Sequence, residues 1–246
     1  MEISIAVIFS CHNRKTKTIN AIESLGEKNP NIKFVFYIVD DNSRDGTKEA
    51  LEELQKDYNI FLLHGSGQLF YTKCMHLGMK RVKESQQKYQ YVLLINDDVS
   101  FYDFAVENLI IQSQAKRASI IVGATEDEFG KQNYGAIKYK KHSIHYTTLS
   151  IEDHSVEADT FNGNCVLIPW EIFSNYNIMD DYYMHGAGDF DYGMYLSRKG
   201  IKIYSSAQYV GVCYSNQLET TCQDCTLPVI KRFQLKETPK GLPFKD

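Results

Sequence analysis

The chain has no apolar run near the ~20 residues that a bilayer span requires, so no spanning helix is expected. It has no long block of Lys or Arg, and its net charge is -4. Nothing electrostatic therefore recommends nucleic acid as a partner. No internal repeat and no low-complexity linker divide the 246 residues, which suffice for one large α/β domain with ample core. Met1-Glu2 runs directly into a strand pattern, so no signal peptide is expected. Cysteine is scarce. Four of the six, Cys11, Cys74, Cys165 and Cys213, stand singly in apolar or mixed segments, as reduced and buried thiols of a cytosolic protein would. The one C-x-x-C pair, Cys222 and Cys225, lacks a second pair or a nearby His, which leaves little case for zinc. It also lies late, in a polar segment, where a redox pair would open a helix after an early strand.

What is present reads as alternation. At 43% hydrophobic and 24% charged the chain is built to fold. Strands are expected at Ile3–Phe9, Ile32–Val39, Ile60–His64 and Tyr91–Ile95, and helices at Lys15–Leu25, Lys48–Gln55, Thr72–Lys88 and Phe104–Lys116. A further strand follows at Ser119–Gly123. Five consecutive apolar residues, Tyr91 to Ile95, suit a strand covered on both faces. Strand, helix, strand, helix in this order gives an α/β fold with a Rossmann-like, mostly parallel sheet flanked by helices. After residue 123 glycines, lysines and tyrosines suggest a smaller antiparallel portion. Cys165–Ile168 is an apolar run ended by Pro169-Trp170, which opens a short helix. A helix continues through Arg198 and stops at Gly200. Ile201–Tyr204 and Tyr209–Cys213 are expected as two strands, followed by a polar segment from Ser215 that ends in a loop-like stretch at 238–243.

Polar residues collect where strands 1, 2 and 4 end, and ligands of open α/β sheets bind at those carboxyl ends. Asn96-Asp97-Asp98 can hold Mg²⁺ or Mn²⁺ through hard oxygen ligands, or serve only as a turn that caps a helix. Asp40-Asp41-Asn42-Ser43 can accept from a pyrimidine N–H or ribose hydroxyls, or form a cap with an Asx turn. Gly186-Ala187-Gly188-Asp189-Phe190-Asp191 places two carboxylates at i and i+2, which do not share a helix face. One can then be presented as a general base while the other supports it, with Gly186 and Gly188 letting substrate approach the backbone. The alternative is an acidic helix start complementing the dipole. His185 adjoins this loop as a metal or diphosphate ligand, or as a hydrogen-bonded structural residue. Trp170 reads as packing, with sugar stacking left open. Gly65-Ser66-Gly67 is a weak phosphate cradle, because no Lys-Ser/Thr pair follows it. The 17 tyrosines suit a sugar or nucleotide site and equally a Tyr-rich core.

Taken in order, these pieces resemble the family 2 glycosyltransferases of the GT-A fold. The matching segments are Val-Ile-Phe-Ser-Cys-His-Asn at 7–13, Val-Asp-Asp-Asn-Ser-Arg-Asp-Gly-Thr at 39–47 and Leu-Ile-Asn-Asp-Asp at 94–98. Phe-Asn-Gly-Asn-Cys-Val-Leu-Ile-Pro at 161–169 and His-Gly-Ala-Gly-Asp-Phe-Asp-Tyr-Gly at 185–193 look closest to a bacterial, rhamnosyltransferase-like branch acting in surface polysaccharide assembly. The resemblance implies one GT-A domain over 1–246, with a nucleotide-binding half at 1–123, a donor-sugar and acceptor half at 124–213 and a tail at 214–246. It implies inverting transfer from a UDP- or dTDP-sugar with Mg²⁺ or Mn²⁺.

Carried onto this sequence, the resemblance places Ser10, Asn13 and Gly67 beside the nucleotide and Asp41 on the base. It places Asp97 near the sugar or ribose, and Asp98 with His185 at the metal. Asn162, Gly163 and Asn164 line the donor-sugar pocket. Asp189 stands as the base with Asp191 in support. Two departures stand out: Asn96 replaces the first acid of Asp-x-Asp, and Gly188 replaces the Glu before the base. The expected partners are a nucleotide-sugar and a saccharide or lipid-linked saccharide, with peripheral contact at the inner membrane face and a homodimer left open. Two rival readings are a sugar nucleotidyltransferase and a carbohydrate-binding module. The first usually carries a Gly-rich loop after strand 1, and Ser10-Cys11-His12-Asn13-Arg14-Lys15 contains no glycine. The second would need neither a metal turn nor a presented base.

Overall fold

In the computed structural model, residues 3–141, 143, 145–183, 186–214, 221–222, 224–236 and 238 are described. The order opens β1 (Ile3–Cys11), α1 (Lys15–Lys28), β2 (Ile32–Asp40), α2 (Thr47–Leu54), β3 (Ile60–His64), α3 (Phe70–Glu84) and β4 (Tyr91–Ile95). It continues β5 (Val99–Phe101), α4 (Ala105–Ala115), β6 (Ile120–Glu126), β7 (Gln132–Tyr134), β8 (Ala136–Tyr139), β9 (Tyr146–Thr148), β10 (Glu157–Ala158) and β11 (Thr160–Phe161). It closes β12 (Cys165–Pro169), α5 (Trp170–Asn175), α6 (Gly188–Arg198), β13 (Ile203–Cys213) and α7 (Val229–Lys236).

The strands β3-β2-β1-β4 lie side by side and parallel. This gives the expected α/β fold, a mixed and mostly parallel sheet flanked by helices, with a small antiparallel sheet β11-β8-β9 beside it. β4 is fully buried, as its apolar run requires. Its second neighbour, however, is β12, which runs antiparallel to both β4 and β6. That reversal matters for function. It sets Cys165 against Ile95, so the turn before β12 lies at the same edge as the acids after β4.

Side chains alternate along each strand and build two cores. Ile5, Val7 and Phe9 of β1 pack with Ile22, Leu25, Leu51, Val106 and Leu109 on one face. Ala6 and Ile8 pack with Met75, Met79, Val82, Phe173, Tyr192 and Leu196 on the other. Trp170 is part of this second core, in edge contact with Tyr89 and tilted against Phe173, so packing is its role.

Several boundaries differ from expectation for local reasons. The helix expected over Thr72–Lys88 ends four residues earlier, where the Ser85 hydroxyl donates to the Val82 carbonyl (2.8 Å). The two late strands are one, β13, with a register shift against β6 between Ser205 and Tyr209. β5, only three residues long, pairs Val99 with Cys213 and carries too little pattern to be read alone. A helix, α7, stands in the segment read only as polar, and residues 239–243 of the loop-like end lie outside the described residues. The four single cysteines are free and buried, while Cys222 is half-buried and Cys225 exposed. Among the described residues no helix is long and apolar enough to cross a membrane.

The break at Lys28-Asn29-Pro30 joins two helices. Asn29 is fully buried. Its Nδ2 donates to the Leu25 carbonyl at the end of α1 (2.8 Å), and its Oδ1 accepts from the Val106 amide in the first turn of α4 (2.8 Å). Asn29→Ala leaves a buried amide and carbonyl without partners, so a loss of about 1–3 kcal/mol is expected. The guanidinium midpoint should fall accordingly; an unchanged midpoint would show that these two bonds carry no net stability.

Candidate active site

The carboxyl ends of β1, β2 and β4 open onto a cavity of about 550 Å³. Ser10, Asp41, Gly67, Asp97, Asp98, Asn162, Asn164 and Asp189 all line it, so most of the residues singled out in the sequence converge. Asn13, Gly163 and Asp191 do not line it. His185 lies outside the described residues. Arg14, Phe70, Tyr71 and Tyr134 also line the cavity, and sequence reasoning missed all four.

Asn13 is a turn residue. Its amide donates to Ser43 Oγ (2.9 Å) and its Oδ1 accepts from the Arg44 amide (2.7 Å), which ties the loop after β1 to the loop after β2. His12 lines the cavity and bonds the Asp41 carbonyl through Nδ1 (2.6 Å). A carbonyl only accepts, so Nδ1 carries the proton and Nε2 accepts from Asn13 Nδ2 (2.9 Å).

Asp41 is buried, and its carboxylate is engaged by the chain itself. Oδ1 accepts from the Gly67 amide (2.7 Å), and Oδ2 from the amides of Leu69 (3.0 Å) and Phe70 (3.1 Å). Three of about four lone-pair sites are thus taken. The Gly65-Ser66-Gly67 loop wraps this carboxylate, and the Gly67 amide points at it. A Cβ on Gly65 would sit 2.3 Å from Asp41 Oδ1. Phe70 is held at φ +55°, a left-handed conformation that costs about 1–3 kcal/mol and is stabilised here by its amide bond to Asp41.

Asp97 and Asp98 are both buried. Arg14 Nη1 bridges them, 3.1 Å from Asp97 Oδ1 and 2.9 Å from Asp98 Oδ2, and Lys17 Nζ lies 3.9 Å from Asp98 Oδ2. The Cys213 thiol, delivered by the β5–β13 pairing, donates to Asp98 Oδ1 (3.4 Å). Asn164 Nδ2 in turn donates to Cys213 Sγ (3.6 Å). Asp97 Oδ2 is buried without a hydrogen-bond partner among the described residues. Burial outweighs the attraction of Arg14 and lifts the Asp97 carboxyl to about 6. Asn96 is the turn residue: its amide donates to the Asn164 carbonyl (3.2 Å), joining the two strand ends.

Asp189 projects from the first turn of α6. Its Oδ2 accepts from the Gly163 amide (2.8 Å) and its Oδ1 from the Phe190 amide (2.9 Å). Burial nevertheless raises its carboxyl above the ordinary value, with the two amides opposing. Gly188 does not open a path for substrate. Thr72 of α3 fills the space where its Cβ would stand, with Cγ2 at 2.4 Å and Oγ1 at 2.6 Å. That contact is the physical reason no Glu side chain can precede Asp189 here. Gly163 likewise serves the protein, because the Tyr71 hydroxyl lies 2.0 Å from where its Cβ would be.

The family model for glycosyl transferase family 2 matches residues 6–168. The chain belongs to glycosyl transferase family 2. Solved structures of similar fold include GalNAc-T7 with UDP, GalNAc and Mn²⁺ at 13% identity and TM-score 0.68, covering 87% of this chain and 43% of that one. S. aureus TarS 1-349 with UDP-GlcNAc aligns at 14% identity and TM-score 0.62, covering 88% and 59%. The Pyrobaculum calidifontis mannosyltransferase PcManGT with GDP-Man and Mn²⁺ aligns at 12% and 0.61, covering 98% and 64%. The chain thus spans less than two thirds of each of these structures, and the likeness establishes a GT-A fold. A search of curated proteins found no significant match.

Gly188→Ala should destabilise the fold by about 1–3 kcal/mol through overpacking against Thr72. The same change made in a Thr72→Ala background should cost less, since Cγ2 and Oγ1 are gone. Equal costs in the two backgrounds, measured by denaturant unfolding, would rule out this contact as the reason for glycine.

Proposed function

We propose that the protein is a divalent-metal-dependent, inverting glycosyltransferase that moves a sugar from a UDP- or dTDP-sugar to an acceptor hydroxyl. The observation that carries this reading is the convergence, in one cavity of a family 2 fold, of the Asp97/Asp98 pair and Asp189. The acceptor is a saccharide or lipid-linked saccharide of a surface polysaccharide, on the motif resemblance at 161–169 and 185–193. The division of the chain follows from that reading: residues 1–123 hold the nucleotide, residues 124–213 the donor sugar and acceptor, and residues 214–246 form a tail.

The donor set supports a hard divalent cation. It is made of oxygens, and the partnerless Asp97 Oδ2 is an acceptor in want of positive charge. Among the described residues no group of three or more His, Cys, Asp or Glu could hold a metal ion. Asp98, with Asp97 beside it, would hold an ion whose remaining ligands come from diphosphate and water. When bound, such an ion supplies charge neutralisation to the departing diphosphate.

The chain's own residues account for the other steps. Asp189, ionised and presented to the cavity, accepts the proton of the acceptor hydroxyl. The acceptor oxygen forms its bond to the anomeric carbon as the bond from that carbon to the diphosphate oxygen breaks, and the diphosphate leaves with the electron pair. Arg14 and Lys17, at the Asp97/Asp98 edge, lie where they can share the charge that develops. Asp41 contributes mainly by fixing residues 67–70 and the start of α3 as a wall of the nucleotide pocket.

Incubation with UDP-, dTDP- and GDP-sugars tests the reading. Nucleoside diphosphate release is expected with at least one donor, lost on chelation and restored by Mn²⁺ or Mg²⁺. No release with any donor would defeat the transferase reading, and release indifferent to chelation would defeat the metal. Asp189→Asn should lower turnover at least a hundredfold, within the 10²–10⁴ range of general-base contributions, with UDP affinity kept. Retained transfer would move the role to Asp191. Because burial raises the Asp189 carboxyl, and the base works ionised, activity at saturating donor should fall as pH drops through a value above the usual ~4. An acid limb at the ordinary carboxylate value would argue against Asp189.

A further inference from the structure

The Tyr71 hydroxyl is buried and has no hydrogen-bond partner among the described residues. Tyr71 is the second residue of α3 and lines the cavity. The point where a Gly163 Cβ would stand lies 2.0 Å from the Tyr71 hydroxyl and 3.4 Å from Asp189 Cβ. The phenol oxygen and the base candidate therefore flank one glycine from the same side. Buried hydroxyls in folded proteins are almost always paired, because an unmade hydrogen bond keeps its desolvation cost. Nothing among the described residues pairs this one. Its neighbours explain why it stays a donor: burial first, and the Asp189 charge second, keep the phenol protonated.

Resting on the transferase reading above, we infer that Tyr71 is an acceptor-positioning residue, whose O–H donates to the same substrate hydroxyl that Asp189 deprotonates. A hydroxyl has one proton and two lone pairs. Asp189 takes the proton and Tyr71 holds one lone pair, which leaves the second lone pair free to attack the anomeric carbon. The two contacts together fix the oxygen where a single carboxylate would let it swing. The orientation is set by the protein's own hydrogen bonds and packing. The start of α3 is fastened by the Leu69 and Phe70 amides on Asp41, and Gly163 lets the ring pass.

Tyr71→Phe keeps the ring and removes only the hydroxyl. An orphan hydroxyl predicts that the unfolding midpoint is unchanged or raised, since no partner is lost. It also predicts that affinities for UDP and for the UDP-sugar, by calorimetry, stay within twofold of the parent. Turnover, measured as transfer or as hydrolysis with water in the acceptor place, should fall at least tenfold. Three results would overturn the inference: a clearly lowered midpoint, which means the hydroxyl has a partner in the protein; a loss of UDP-sugar affinity with UDP affinity intact, which places the contact on the donor sugar; or turnover equal to the parent. A parent inactive with UDP-, dTDP- and GDP-sugars alike is a different result. It removes the transferase reading on which this inference rests, rather than the role of Tyr71 within it.

Discussion

Two carboxylates buried side by side at the end of one strand are the constraint on which the site depends. Asp97 and Asp98 follow β4 directly, and β4 is covered on both faces, so they cannot retreat into solvent. Adjacent like charges at low dielectric are unstable without a counter-ion. Arg14 supplies one, from the loop after the neighbouring strand β1. The parallel pairing of β1 with β4 is what brings it there. The supply is incomplete: the Asp97 carboxyl still rises to about 6, and its second oxygen has no partner among the described residues. Cys213 is drawn to Asp98 through the short strand β5, and Asn164 to Cys213 through the reversed strand β12. Both later strands therefore end at the acids.

The wall opposite is organised by steric interlock. Glycines at 65, 163 and 188 each leave out a Cβ whose place is filled by another part of the site: Asp41, Tyr71 and Thr72 respectively. All three intruding groups bear on the same stretch. Tyr71 and Thr72 open α3, and Asp41 binds the amides of Leu69 and Phe70 just before them. The start of α3 is consequently clamped between Asp41 and the Gly163–Gly188 wall beside Asp189. A helix held this way can present a phenol to the cavity without the phenol bonding anything itself.

Much of this was legible in the sequence, and the part that was not has a common cause. β3 and β4 fall where their apolar runs begin and end, because a buried strand is defined by its own residues. The acids at 41, 97, 98 and 189 were visible because each interrupts a regular element. Arg14 was overlooked because a basic residue opening a helix is unremarkable until the strand pairing puts it beside two acids. Tyr71 was one of seventeen tyrosines; among the described residues its hydroxyl and that of Tyr192 are both buried without a partner, and of the two Tyr71 lines the cavity. Gly188 was misread as an opening for substrate, because a sequence shows a missing side chain but not what fills its place. β13 was divided in two because its register shift looks like a break.

The charge balance of the cavity bears on what can bind there. Among the described residues four carboxylates line it, at 41, 97, 98 and 189, against one lining cation, Arg14. Asp41 is neutralised in effect by three amides, and Asp189 accepts from two. The Asp97/Asp98 pair shares Arg14 and the more distant Lys17. A nucleoside diphosphate adds two or more negative charges to this edge, and repulsion in a partly desolvated cleft is far stronger than in water. Arg14 cannot serve both the acids and the phosphates at full strength. If it turns to the phosphates, it leaves Asp97 and Asp98 without their bridge. On the proposed reading, a small divalent ion carried on the phosphates would supply the missing positive charge, at an edge where Asp97 offers a buried carboxylate oxygen with no partner among the described residues.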